Sequence, residues 1–163
     1  MEPCIRPVSE ADWSAVTAIF NHFVAHSFAA YPEEPLDEAI FRARTAAQPE
    51  YPFLVAEVAG RVVGFAWLAP FHPAATLRRS ATLTYFLDPD HTGRGIGSAL
   101  LERLLAHGRA LGVRSFLAHV SSRNPGSLRF HLQHGFTECG RFRDAGVKHG
   151  ERFDVVWFQR LES

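Results

Sequence analysis

The chain has 163 residues, 47% of them hydrophobic, which fits a single domain over residues 1–163 with a sizeable core. Seventeen Lys and Arg balance seventeen Asp and Glu with no basic run, so neither a nucleic-acid nor an anionic-membrane partner is indicated. No apolar run is long enough to span a membrane, no signal-peptide pattern opens the chain, and Cys4 and Cys139 are isolated, so a reduced, cytoplasmic protein is expected.

In chain order, Cys4 to Pro7 reads as a short extended segment. Ser9 then caps a helix with Asp12 in its first turn and Trp13, Val16, Ile19, Phe20 and Phe23 on one face. A loop rich in proline and glutamate, Tyr31 to Leu36, leads to Asp37, the expected cap of a second helix through Phe41 and Arg44. Phe53 to Val58 and Val62 to Leu68 flank Ala59-Gly60-Arg61 as a hairpin, which ends at Pro70-Phe71-His72-Pro73. A strand from Leu83 to Leu87, a helix to about Leu111 and a strand from Ser115 to Val120 follow. A short helix opened by Pro125 and two closing strands, Thr137 to Phe142 and Arg152 to Leu161, complete an α/β alternation.

The turn between Leu87 and the long helix carries chemistry. Thr92-Gly93-Arg94-Gly95-Ile96-Gly97-Ser98 sits where a helix leaves its first N–H groups unpaired, and Ile96, Leu100, Leu101, Leu104 and Leu105 give the helical spacing that follows. Aligned N–H groups and the positive end of the helix dipole favour phosphate oxygens. It is not a P-loop, because no Gly-Lys-Ser/Thr closes it, and glycines at alternate positions fit a Rossmann turn poorly. A plain strand-to-helix turn is the bland alternative.

Downstream, Asn124-Pro125-Gly126-Ser127 opens a short helix that ends in Gly135-Phe136. His131 and His134 fall on that helix, but Glu138 lies beyond Gly135, so no metal site is expected. Taken with the glycine turn and the strand between them, the pattern resembles the GNAT acetyltransferases, and within them the phosphinothricin and methionine-sulfone branch. The likeness extends to Asn21-His22-Phe23, to Tyr51 through Val58, to Ala145 through Gly150, and to Asp154-Val155.

The resemblance implies an α/β GNAT fold, a mostly antiparallel mixed sheet splayed between its fourth and fifth strands and flanked by about four helices. It implies transfer of an acetyl group from acetyl-CoA, by direct attack in a ternary complex, to the primary amine of a small molecule such as an amino acid or its analogue. Acetylation of a protein or peptide, and a non-catalytic acyl-CoA sensor, are the alternatives. Relatives of this branch are often homodimers, and Phe153, Trp157 and Phe158 read either as interface or as ordinary core.

By the same resemblance, main-chain groups of Phe86 and Leu87 bond the pantetheine arm and N–H groups from Gly93 through Arg94, Gly95, Ile96 and Gly97 to Ser98 hold the pyrophosphate. Asn124 bonds pantetheine, or caps its helix, and Ser127 contacts the cofactor. Thr92 stands where the family has a longer Arg or Gln, and Arg94 is a candidate for the missing charge. Thr82 stands where the branch carries a glutamate proposed as general base, and a threonine does not titrate near neutrality. The resemblance offers His131 instead, seven residues after Asn124, where many GNAT enzymes carry a tyrosine as general acid and this branch tends to carry histidine, with His119 in reach only if strand alternation aims it at the cleft. The acceptor side, by analogy, includes Phe28, Tyr31, Phe71, Arg78, Arg79 and Lys148. The three cations suit a carboxylate or phosphinate and read equally as solvated charges.

Overall fold

In the computed structural model, which describes residues 2–163, the strands are β1 (Cys4–Pro7), β2 (Phe53–Val58), β3 (Arg61–Pro70), β4 (Ser80–Leu87), β5 (Ser115–Ser121), β6 (Thr137–Lys148) and β7 (Glu151–Leu161). The helices are α1 (Trp13–His26), α2 (Glu38–Ala47), α3 (Ile96–Ala110) and α4 (Pro125–Gln133). All seven strands form one sheet in the order β1-β2-β3-β4-β5-β7-β6, antiparallel except for β4 beside β5. This is the mixed sheet with four helices that the resemblance implied.

Local chemistry accounts for most boundaries. The Asp12 carboxylate accepts from the Ser9 N–H at 2.7 Å and is bridged by Arg6, which holds its pKa down to about 2 and ties the start of α1 to β1. Asp37 accepts from the Ala39 N–H and caps α2. The β2–β3 turn is two residues, Ala59-Gly60, both with positive φ, the backbone twist a tight hairpin prefers. The closing hairpin differs from the sequence reading. β6 does not stop at Phe142 but runs to Lys148 across an irregularity between Phe142 and Gly146, with Asp144 at φ 53°, and turns through His149-Gly150. A bulge interrupts the hydrophobic alternation, which hides the strand from a period-two reading.

The sheet has a core on each face. Residues of α3 (Leu100, Leu101, Leu104, Leu105) pack with Leu54, Ala66, Leu68, Leu83, Phe116 and Phe158 on one side. On the other, Trp13, Val16, Phe20 and Val24 of α1 and Phe41 of α2 pack with Phe53, Val55, Phe65 and Trp67. Gly108 lets α3 lie directly on the Phe116 ring, since a Cβ there would fall 2.4 Å from it. Phe153 and Phe158, two of the aromatics that read as interface or core, are buried within their own chain.

Candidate active site

The parallel β4–β5 pair is short. Its ladder covers only Ser80–Thr82 against Ser115–Leu117, although β4 continues to Leu87 and β5 to Ser121. Beyond Thr82 the β4 edge facing β5 has no strand partner, and the strands part around a cleft of about 1010 Å³. Thr82, Phe86, Leu87, Thr92, Gly93, Gly95, Gly97, Ser98, Asn124, Ser127 and His131 all line it.

At one end lies the glycine turn. Gly93 and Gly95 have φ of 72° and 80°, so a side chain at either is disfavoured by conformation alone. Ala99 makes the first helical bond, to the Gly95 carbonyl at 3.0 Å, which leaves the N–H groups of Ile96, Gly97 and Ser98 without helical partners. Thr92 is tied down by its hydroxyl, which donates to the Pro89 carbonyl. Arg94 is exposed and does not line the cleft, whereas Arg129 of α4 does. The Ser98 hydroxyl donates to His134 Nε2 at 2.8 Å, and His134 Nδ1 bonds the Phe130 carbonyl, so the turn is braced against α4. Asn124 accepts from the Ser127 N–H at 3.3 Å and caps α4. An unpaired strand edge leading to an open set of helix N–H groups fits a long thioester ending in a pyrophosphate, so the residues present suit acetyl-CoA. Among the described residues no group of His, Cys, Asp or Glu is placed to hold a metal.

His131 is only 2% exposed. Its Nδ1–H donates to the Ser127 carbonyl at 2.7 Å, which leaves Nε2 to accept a hydrogen bond from the Tyr85 phenol. Burial among Tyr85, Phe136 and Phe158 pushes its pKa down to about 4, so the ring is neutral near pH 7. Burial likewise raises the Tyr85 phenol well above its usual range. The sequence had offered His131 as a group titrating near neutrality. Its neighbourhood makes it instead a fixed acceptor for Tyr85, a residue the sequence did not single out.

The two histidines offered for proton transfer, His131 and His119, sit on opposite faces of the sheet. His131 and Tyr85 belong to the α3 side, with Phe158. On β4 the alternate residues Thr82, Thr84 and Phe86 pair with Ala69, Trp67 and Phe65 and therefore face α1 and α2. Thr82 pairs with Leu117 across the parallel ladder, so two residues on His119 shares this face. His119 Nδ1 lies 3.0 Å from the Tyr31 hydroxyl, and its ring packs on Trp157, 4.9 Å between centroids. Tyr31 is 37% exposed, yet it is stacked between His119 and Phe153, and this partial burial pushes its phenol up to about 12. Phe28 joins the same wall.

Past Thr84, the Arg44 guanidinium lies 4.7 Å over the Trp67 ring and lines the cleft. Burial lowers its pKa, and no carboxylate contributes to the shift. Arg44 was legible only as a residue three positions after Phe41, which is the spacing of one helix face.

The other acceptor-side residues are placed elsewhere. Phe71, Arg78 and Arg79 are exposed and outside the cleft lining. Lys148 is 1% exposed and also outside it. Its ammonium donates to the carbonyls of Ser27 at 2.6 Å, Ala30 at 2.7 Å and Phe23 at 3.4 Å. The expected acceptor cation is thus a cap on the C-terminal end of α1, where free carbonyls and the negative end of the helix dipole hold a positive charge.

A family model described as the acetyltransferase (GNAT) family matches residues 16–136. The phosphinothricin N-acetyltransferase of Alcaligenes faecalis is 34% identical over 159 residues, spanning 96% of this chain and 81% of that protein. An L-methionine sulfoximine/L-methionine sulfone acetyltransferase of Salmonella typhimurium is 33% identical, over 95% of this chain and 92% of that protein. Among solved structures, a phosphinothricin acetyltransferase from Sinorhizobium meliloti in complex with acetyl-CoA superposes with a TM-score of 0.92 at 32% identity, covering 99% of this chain and 89% of that one.

Proposed function

This chain belongs to the GNAT acetyltransferase family, and on that premise we propose that it acetylates the primary amine of a small molecule carrying an anionic group, an amino acid or amino-acid analogue. The enzyme is an acetyl-CoA-dependent N-acetyltransferase. The observation that carries the acceptor class is Arg44, a cation held over Trp67 in the cleft wall with no carboxylate of the protein acting on its charge. A planar guanidinium lying over an aromatic ring and exposed at the cleft wall is suited to bind a carboxylate or phosphinate from outside.

The residues divide the work by position. Main-chain groups of Phe86 and Leu87 serve the pantetheine arm along the unpaired β4 edge, with Asn124 and Ser127 across the splay. The N–H groups of Ile96, Gly97 and Ser98 serve the pyrophosphate, and Thr92 adds no charge there. Acetyl-CoA supplies an activated acyl carbon. Phe28 and Tyr31 wall the acceptor, and Thr82 offers a hydroxyl without titrating. Tyr85 donates its hydroxyl proton to neutral His131 on the far face of the splay, so the departing sulfur takes its proton from the acceptor nitrogen.

The proposal includes a cytoplasmic, homodimeric protein. Support for the location is the pair of free, exposed thiols, Cys4 and Cys139. Support for a second copy is Phe142 and Val147, 60% and 62% exposed on the edge strand β6, and sedimentation velocity tests it.

Free-thiol release with L-methionine sulfone and with 2-phenylethylamine, which lacks a carboxylate, tests the acceptor class. Arg44→Gln is expected to raise KM for the sulfone at least tenfold and leave that for the amine within twofold. Equal effects on both acceptors would remove Arg44 from anion recognition, and turnover of the amine alone would sink the acceptor class.

A further inference from the structure

We propose that His119, oriented by Tyr31, is the general base that accepts the acceptor's ammonium proton, the role that Thr82 cannot fill. The inference rests on the acetyltransferase reading but not on the identity of the acceptor.

The argument begins with which face of the sheet each group occupies. An amine entering between α1, α2 and the sheet meets Trp67 and Thr84 on one lip of the splay and His119 and Trp157 on the other, pairs that register places on the same face. His131 lies on the opposite face, and its Nε2 is occupied by Tyr85. His119 is the imidazole on the amine's side, and it lines the cleft.

Its geometry is that of an oriented base. Nδ1 lies 3.0 Å from the Tyr31 hydroxyl and the ring rests on Trp157; in the tautomer that carries its proton on Nδ1 the Tyr31 oxygen accepts from it, and the lone pair is on Nε2, which has no hydrogen bond within the described residues. A fixed tautomer with a free Nε2 lone pair is what proton abstraction requires. The groups packed against the ring are Tyr31 from the α1–α2 loop and Trp157 from β7; of these only Tyr31 titrates. Burial lowers the pKa of His119, so the imidazole is neutral and available near pH 7.

The step balances without a further reactant. Nε2 takes one proton from the ammonium and passes it to solvent at the cleft mouth. The freed nitrogen forms the N–C bond at the thioester carbonyl carbon, the C–S bond breaks, and the second nitrogen proton ends on the sulfur. A base on β5 in place of a carboxylate on β4 leaves the acceptor end free of negative charge from the protein, which suits an anionic acceptor.

The test measures kcat/KM against pH for the parent, His119→Gln, His119→Ala and Tyr31→Phe, with L-methionine sulfone and 2-phenylethylamine as acceptors. His119→Gln is expected to lose about 10²–10⁴-fold on whichever amine the parent acetylates, with CoA affinity by calorimetry unchanged. The parent's acid limb, where the rate falls as Nε2 is protonated below pH 6.5, should vanish in this variant. Added imidazole should restore part of the His119→Ala rate, and Tyr31→Phe should shift the acid limb as well as lower kcat. His119→Gln within threefold of the parent and with its acid limb intact would overturn the proposal, as would imidazole having no effect on a folded, CoA-binding His119→Ala. A parent that turns over only 2-phenylethylamine removes the anionic-acceptor reading and leaves this test in force.

Discussion

His131 shows how far a residue's surroundings move its chemistry. A histidine on an exposed helix titrates near pH 6.5, but burial, with a smaller contribution from His134, brings this one to about 4. Because the folded pKa lies below the unfolded one, the unfolded chain takes up a proton between about pH 6.5 and 4 while the native chain resists it. Stability is therefore full above pH 6.5 and is lost as pH falls toward 4, by roughly 3 kcal/mol at the lower end. Urea unfolding at pH 7.5 and 4.5 should show that loss in the parent and a smaller one in His131→Gln, and equal losses would place the acid sensitivity elsewhere. The sequence identified His131 by its distance from Asn124, and alternation along β4 was readable around Leu83. What it could not supply was the meeting of residues 85 and 131, because a contact across 46 positions depends on how α4 closes over the sheet. Thr82 is the converse case: its hydroxyl lies 3.5 Å from the Ala69 carbonyl, a backbone neighbour that any small polar residue on that strand would find.

At the scale of elements, turn and cap signals were the reliable ones. Asp37 and Asn124 cap where the sequence put them, each accepting from a backbone N–H two or three residues on, and Gly60 turns the hairpin, whereas at Ser9 it is the Asp12 carboxylate that accepts from the Ser9 N–H. The end of β6 was not legible, and Lys148 was misplaced with it. Its charge is spent on α1, more than 115 residues away, and it anchors the Ser27–Ala30 segment that leads into Tyr31. Lys148→Met removes a charged donor from three carbonyls and should cost about 2–4 kcal/mol, read as a lower urea midpoint. Because the same segment presents Tyr31, kcat/KM should fall in the folded variant while CoA affinity holds. A variant as stable as the parent would show that water satisfies those carbonyls equally well.

For the molecule as a whole, fold and chemistry share one cause. Two helices cover one face of the sheet and two the other, and the parallel β4–β5 junction gives way after Thr82, which opens the gap where the proposed reaction joins donor and acceptor. The α/β order of elements was readable from the residues, the splayed and mostly antiparallel sheet was implied only by the family resemblance, and the acceptor wall, assembled from α2, β5 and the α1–α2 loop, was beyond local pattern. The gap also has a mechanical meaning. Strands β1–β4 and β5–β7 are stitched together by a ladder of three residue pairs, so the sheet is two leaves on a short hinge. A thioester lying along the free edge of β4 would act as a splint between the leaves. Saturating CoA, at a hundred times its Kd, is worth about 2.7 kcal/mol by mass action alone and should raise Tm accordingly. The splint adds a spatial signature: slowed amide exchange concentrated at 83–87 and 118–121, on both lips of the hinge, with β1 and β6 unchanged. Uniform protection across the sheet would mean that the leaves are already locked, and that the enzyme waits for its donor with the hinge closed.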